Sequence, residues 1–137
     1  MATQTNEVIE RILRNARTVA VVGLSPDAGR PSHGVARYLQ RAGYRVIPVN
    51  PGVLEVLGEH AYASLRELPE AVDVVDVFRR SEFVAEVVED AIALGARAIW
   101  LQDGVVDEAS AARARSAGLE VVMDDCIMRR HAQMARR

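Results

Sequence analysis

The stretch "VVGLSPDAGRPSHGVARYLQ", residues 21–40, passes from an apolar segment through a turn rich in Gly, Ser, Pro and Arg into a helical pattern. A strand–turn–helix corner of this kind often binds phosphate, because the amides at a helix N-terminus point towards the ligand. The turn matches neither familiar glycine-rich fingerprint. GxGxxG fails because Ser25 replaces a glycine and the turn is longer, and no GK[ST] sequence occurs in the chain.

Outward from this corner, apolar runs of strand length alternate with helical patterns. The runs are rich in valine and nearly continuous in apolarity, which is typical of strands buried on both faces of a parallel sheet. They span residues 18–24, 44–50, 72–78, 97–102 and 119–123. The alternation predicts an α/β fold, specifically a Rossmann-like three-layer fold with a five-stranded parallel sheet.

The helical patterns predict where the covering layers begin and end. Residues 1–17 predict an N-terminal helix that packs on the sheet, and three later apolar stripes each end at a glycine. Ser32 and Ser81 are predicted to cap helices. With no sign of a linker or a second domain, we predict that residues 1–137 form a single domain.

Composition excludes several classes of function. The net charge is -2 and aromatic residues make up 4% of the chain, so neither a basic surface nor a set of base-stacking rings for nucleic acid is expected. Cys126 is the sole cysteine, which excludes an intrachain disulfide and favours a reducing compartment. No apolar stretch resembles a signal peptide or a membrane span, so we predict a cytoplasmic protein without membrane partners.

The residues after the first strand have the chemistry of a diphosphate site. Gly23 permits a tight turn, Ser25 supplies a hydroxyl, and the Arg30 guanidinium suits phosphate oxygens. Ser32 stands where the next helix begins, and helix N-termini attract anions. The alternative is an ordinary connection with a surface arginine.

The end of the second strand narrows the choice of ligand. A dinucleotide-binding domain usually has Asp or Glu there to hold the adenosine ribose, whereas this chain has Asn50. A ligand phosphorylated on that ribose would repel a carboxylate and tolerate an amide. The residue therefore disfavours NAD and leaves NADP and coenzyme A open.

Two further strand ends add candidates, since ligands of parallel sheets bind beyond the carboxyl ends of the strands. Phe78 either packs on an adenine or completes the core, and Arg79 either faces the same crevice as Arg30 or is a surface charge. Gln102 and Gly104 are predicted to line the crevice.

Five segments in order resemble the small bacterial CoA-binding-domain proteins, stand-alone relatives of the CoA-binding N-terminal domain of the succinyl-CoA synthetase α subunit. The segments are "VAVVGLSPDAGRPSHGVARYL", "GYRVIPVNPGVLEVLGEHAYASL", "VDVVDVFRRSEFV", "GARAIWLQDGV" and "AGLEVVMDDC". The resemblance runs from about Thr18 to His131 and implies a Rossmann-like fold that binds coenzyme A. The predicted coenzyme contacts are Gly23, Leu24, Ser25, Arg30, Pro31, Ser32, Asn50, Pro51, Phe78, Arg79, Gln102 and Gly104.

The chain departs from that family in residues 124–131, "DDCIMRRH", where the family pattern is closer to "DRC…EH". Asp125 replaces a basic residue and Arg130 replaces an acidic one. One interpretation is an ion pair with exchanged signs.

We expect binding without catalysis. In the synthetase relatives, the chemistry needs a phosphorylated histidine from a further domain and a partner subunit. Three scattered histidines and Cys126 form no zinc pattern, and the five-residue spacing from Cys126 to His131 argues against a catalytic pair, so no catalytic or metal-binding residue is predicted. A mixed disulfide between Cys126 and CoA is a bolder hypothesis.

The leading prediction is therefore a non-catalytic CoA or acyl-CoA binder. The alternatives are an NADP-binding enzyme or redox sensor, and a regulatory module that docks on a larger acyl-CoA enzyme. A second copy of the chain or another protein stays open as a partner.

Overall fold

A five-stranded parallel sheet forms the centre of the molecule in the computed structural model, which describes residues 4–136. Its strand order is β2-β1-β5-β6-β7, and a separate two-stranded hairpin pairs β3 with β4. The strands are β1 (Thr18–Val22), β2 (Arg45–Val49), β3 (Glu55–Val56), β4 (Glu59–His60), β5 (Val74–Val77), β6 (Ala98–Leu101) and β7 (Glu120–Val122).

Helices cover both faces of this sheet. They are α1 (Asn6–Asn15), α2 (Pro31–Arg41), α3 (Val84–Leu94), α4 (Glu108–Ser116) and α5 (Ile127–Ala135). Apolar residues of α1, α2 and α5 pack on one face, and those of α3 and α4 pack on the other. The predicted α/β, Rossmann-like fold with its five-stranded parallel sheet is confirmed.

Successive strand residues point to opposite faces, so each strand contributes to two cores. In β5, Val75 and Val77 join the core under α3 and α4, while Val74 joins the core under α1, α2 and α5. Both faces are therefore buried, which explains why the strand sequences are continuously apolar.

The N-terminal helix is shorter than predicted. It starts after Thr5, whose hydroxyl oxygen accepts a hydrogen bond from the amide of Val8 at 3.2 Å. Residues 1–3 of the predicted segment lie outside the described residues. Of the residues described, no helix is both long and apolar enough to cross a membrane.

The predicted helix caps at Ser32 and Ser81 are wrong. Helix α2 begins at Pro31, because a residue without an N–H suits the first helical position, and this makes Arg30 the N-cap. Ser32 consequently lies inside the helix. Ser81 opens a short 3-10 turn, Ser81–Phe83, and its hydroxyl oxygen accepts from the amide of Val106 at 2.9 Å.

Candidate functional site

The carboxyl edge of the sheet carries two cavities, one on each face. The larger, of about 1170 Å³, lies between α2 and α5, and we call it the α2–α5 groove. The smaller, of about 240 Å³, lies beside α3, and we call it the α3 cleft. Phe78 and Arg79, the two residues that follow β5, separate them: Phe78 lines the groove and Arg79 lines the cleft.

The groove has a largely apolar lining that also includes four charged residues, Arg37, Asp103, Arg129 and Arg136. Its walls include Gly34, Val35 and Tyr38 of α2, and Met128 and Ala132 of α5. Strand ends and the residues that follow them supply the floor, namely Phe78, Gln102 and Cys126.

The α3 cleft is built from the opposite face. It is lined by the ends of β1 and β2, by Pro51, and by Arg79 and Phe83. The Arg79 guanidinium carbon lies 4.5 Å from the centre of the Phe83 ring, a cation–π contact.

Gly23 stands at the boundary between the two cavities. Its backbone is in the left-handed region (φ 86°), and a Cβ built there would lie 2.5 Å from the Phe78 carbonyl oxygen and 3.4 Å from Cδ of Arg79. Any other residue would therefore force the β1 and β5 ends apart. The groove-lining Phe78 and the cleft-lining Arg79 can therefore both approach the Gly23 backbone closely.

The corner between β1 and α2 is held by its own polar groups. Ser25 donates its amide to the Ser32 hydroxyl oxygen at 3.0 Å and accepts at its own hydroxyl from the Asp27 amide at 3.0 Å. The Asp27 carboxylate in turn accepts from the Gly29 amide at 2.9 Å. These bonds fix the loop in front of the helix without using its N-terminal amides.

The start of α2 is open to a ligand. Arg30, its N-cap, makes no side-chain capping bond, so the positive end of the helix dipole is not neutralised locally. The Arg30 side chain is exposed, and no ion pair or side-chain hydrogen bond engages it within residues 4–136. A phosphate would meet both an uncapped helix and a free guanidinium here.

The other predicted contacts divide between structural and crevice positions. Leu24 is buried, and its carbonyl oxygen accepts from the Asn50 side-chain amide at 2.9 Å, which ties β2 to the corner. Pro31 lines the groove. Gly104 turns at φ 80° and donates its amide to the Asp124 carboxylate at 2.8 Å.

Gln102 is fixed at the groove floor. It is 4% exposed, and its side-chain carbonyl oxygen accepts from the Ile127 amide at 3.1 Å. That bond anchors the beginning of α5. Trp100 supports the same segment by donating its indole N–H to the Asp125 carbonyl oxygen at 3.0 Å.

The departure of residues 124–131 from the family pattern is an ion-pair network. Asp125 lies 2.9 Å from Arg129 and 3.7 Å from Arg130, so the interpretation of an ion pair with exchanged signs is consistent with the geometry. Arg129 also donates two hydrogen bonds, of 2.9 and 3.0 Å, to the Asp103 carboxylate, and this contact lowers the pKa of that carboxyl. The network holds the first turn of α5 beside the groove.

Beneath the groove floor lies a buried acid. Asp76 is completely buried in β5, two residues before Phe78, and neither carboxyl oxygen has a hydrogen-bond partner among residues 4–136. Burial raises its pKa well above the ordinary value, which favours the protonated, neutral form. The site itself does not use it, since Asp76 exposes no surface.

Most of the groove was not foreseen from the sequence. Four lining residues lie on two helices for which the sequence predicts no ligand contact: Gly34, Val35, Tyr38 and Met128. Cys126, for which the sequence suggests only a mixed disulfide with CoA, is 7% exposed and lines the floor. Among the described residues, no cluster of three or more His, Cys, Asp or Glu could hold a metal ion.

Comparison with known proteins identifies the family. A family profile described as "CoA binding domain" matches residues 17–132. The chain belongs to this family. An uncharacterized protein of Bacillus subtilis, YneT, is 41% identical to this CoA-binding domain over 132 residues, or 96% of the chain and 98% of that protein.

Two other relatives define how far the similarity extends. A hypothetical protein of Pyrococcus horikoshii has a solved structure that matches this CoA-binding domain with a TM-score of 0.93 and 38% identity, over 96% of this chain and 93% of that one. The ADP-forming acetate–CoA ligase I of Archaeoglobus fulgidus is 32% identical over 74 residues, which are 54% of this chain and 11% of the ligase. The predicted family is confirmed.

Proposed function

We propose that the chain is a single domain that binds coenzyme A or acyl-CoA and performs no chemistry of its own. The observation that carries the proposal is the uncapped start of α2 beside Gly23 and the free Arg30. A diphosphate at this corner would accept hydrogen bonds from the Ser32 amide at the start of α2 and from the Arg30 guanidinium, and charge-assisted bonds are the strong ones.

The two cavities suit the two halves of the coenzyme. The adenosine half would enter the α3 cleft, where Arg79 could pair with a phosphate on the ribose. Of the two acidic residues in the cleft lining, Glu86 and Asp90, the latter already pairs with Arg66. The neutral Asn50 stands next to the cleft, between the lining residues Val49 and Pro51. The pantetheine arm would pass over Gly23 into the α2–α5 groove, with its thiol near the groove floor.

Isothermal titration calorimetry with CoA, dephospho-CoA, NAD and NADP tests the proposal. We expect CoA to bind most tightly and dephospho-CoA more weakly, since the latter lacks the ribose phosphate. Tighter binding of NAD than of CoA would overturn the proposal, and a preference for NADP would favour the redox alternative.

The same titration with Arg30→Ala tests the corner. If the guanidinium pairs with the diphosphate, CoA binding should weaken by about 1–3 kcal/mol. Arg41→Ala is the matched control, because Arg41 is an exposed arginine at the opposite end of the same helix. Equal affinities of the two variants for CoA would remove Arg30 from the site.

A further inference from the structure

We infer that the α2–α5 groove takes a long, apolar acyl chain, so that the preferred ligand is a fatty acyl-CoA and neither free CoA nor a short acyl-CoA. The inference rests on the proposed function, because it assumes that the coenzyme's thiol end reaches the groove. It adds the class of acyl group.

The α2–α5 groove is larger than a pantetheine arm requires. The groove measures about 1170 Å³, nearly five times the 240 Å³ of the α3 cleft on the other face. Pockets that hold whole drug-sized ligands are typically about 300–1,000 Å³. The slender end of a pantetheine arm therefore leaves most of the groove for something attached to it.

The side chains of α2 and α5 that face each other across the groove are apolar. Val35 and Tyr38 on α2 face Met128 and Ala132 on α5 across the groove, and Phe78 closes its floor. Such a lining rewards apolar surface removed from water, in proportion to its area. Methionine adapts to flexible apolar ligands particularly well.

Gly34 widens the groove because it has no side chain to fill it. A Cβ built on Gly34 meets no heavy atom within 4 Å, so the missing side chain leaves open space. Gly34 lies inside α2, where glycine is less favourable for the helix than almost any other residue. The helix thus carries a propensity cost at a position where a side chain would occupy the groove.

Gln102 places a polar side chain at the groove floor. The carbonyl oxygen of the buried Gln102 side chain already accepts from the Ile127 amide, which fixes the orientation of the side chain. Its amide N–H groups are then left to donate to a ligand carbonyl, and a thioester carbonyl stands where the coenzyme joins the acyl chain. An oriented polar group in a largely apolar lining is the usual composition of a specific ligand pocket.

Binding of CoA, acetyl-CoA and decanoyl-CoA to the wild type and to Gly34→Leu tests the inference. For the wild type we expect decanoyl-CoA to bind at least about tenfold more tightly than CoA or acetyl-CoA, from the burial of a few methylenes. Gly34→Leu should abolish this gain, so that within the variant decanoyl-CoA binds no more tightly than CoA or acetyl-CoA. Gly34→Ala is the matched control and should retain the gain, since it adds one methyl to the same position.

Every outcome decides something. Equal affinities of the wild type for CoA and decanoyl-CoA would overturn the inference and leave the proposed function standing, whereas no binding of any CoA species would overturn both. Decanoate binding as tightly as decanoyl-CoA would assign the groove to free fatty acids and refute the inference. If Gly34→Leu fails to fold, Ala132→Met obstructs the groove from the facing helix and should give the same loss of chain-length preference.

Discussion

Asp76 shows how one residue can oppose the stability of the fold around it. Its strand neighbours in register are Val21 of β1 and Trp100 of β6, so the carboxyl lies among apolar side chains in the centre of the sheet. A buried polar group without a hydrogen bond is unfavourable by an amount comparable to a lost hydrogen bond. Keeping the acid protonated adds a further cost at neutral pH.

Asp76→Leu should therefore stabilise the protein, because leucine has the same branching and buries no polar atom. We expect the free energy of unfolding at neutral pH to rise by about 1–3 kcal/mol, measured by urea denaturation. The gain should shrink as the pH falls towards the ordinary carboxyl pKa of 3.8, where the unfolded chain also binds the proton.

Asp76→Asn is the matched control for that pH dependence. It keeps the shape and polarity of the side chain but cannot ionise. Because the folded-state pKa of Asp76 is raised, wild-type stability relative to Asp76→Asn should be highest below the ordinary pKa and decline as the pH rises above it. A difference that stays constant from acid to neutral pH would contradict the assignment of a buried neutral acid.

The chemistry of single residues could be predicted from the sequence better than their geometry. Gly23 is predicted to permit a tight turn, and its backbone has a φ of 86° at a position where a Cβ would clash with the Phe78 carbonyl. Ser32 is predicted to cap α2, yet it is the second residue of the helix, and its hydroxyl accepts from the Ser25 amide. A shift of two residues in the N-cap, from 32 to 30, is set by Pro31 and is enough to change what the hydroxyl does.

At the scale of elements, strands were predictable and the groove was not. Valine-rich runs mark the sheet strands because burial on both faces leaves a continuous apolar signal. The hairpin of β3 and β4 has two residues per strand, too short for any periodicity. Helices α2 and α5 are far apart in sequence, since Tyr38 and His131, which contact each other, are separated by 93 residues. No local sequence pattern therefore predicts that the two helices line the same cavity.

A hydrogen bond between Tyr38 and His131 joins those two helices. The Tyr38 hydroxyl lies 2.8 Å from Nδ1 of His131, and burial lowers the pKa of the imidazole. Tyr38→Phe should reduce the free energy of unfolding by about 0.5–1.5 kcal/mol, measured by urea denaturation above the ordinary histidine pKa of about 6.5. The neutral ring then accepts the bond.

Tyr62→Phe is the control for that measurement, since the hydroxyl of half-buried Tyr62 makes no hydrogen bond within the described part of the chain. We expect it to leave the stability nearly unchanged. Equal losses in both variants would mean that the Tyr38–His131 bond does not stabilise the packing of α2 against α5.

For the whole molecule, the decisive feature is that the α2–α5 groove and the α3 cleft lie on opposite faces of one sheet, separated by Phe78 and Arg79. A parallel sheet predicts that ligands bind beyond the carboxyl ends of its strands, and this places the candidate contacts at that edge. How that edge is divided depends on Phe78 and Arg79 pointing to opposite faces, and on helices that pack from distant parts of the chain. Such a division emerges only in three dimensions.

A ligand that crosses this edge should stabilise the fold more than either of its halves. Bound CoA would occupy both cavities, whereas 3′-phospho-ADP could fill only the cleft and corner, and pantetheine only the groove. Linking two weakly bound halves raises affinity by making the second contact intramolecular. At equal concentrations, CoA should therefore raise the melting temperature more than the two halves added together do.

The size of that effect follows from mass action. A ligand at a hundred times its dissociation constant adds about 2.7 kcal/mol to the free energy of unfolding. Differential scanning fluorimetry with CoA, each half and a mixture of both halves measures it directly. If 3′-phospho-ADP alone reproduced the full shift given by CoA, the α2–α5 groove would contribute nothing to binding the coenzyme. A shift for the mixture equal to that for CoA would instead show that the passage over Gly23 does not connect the two cavities.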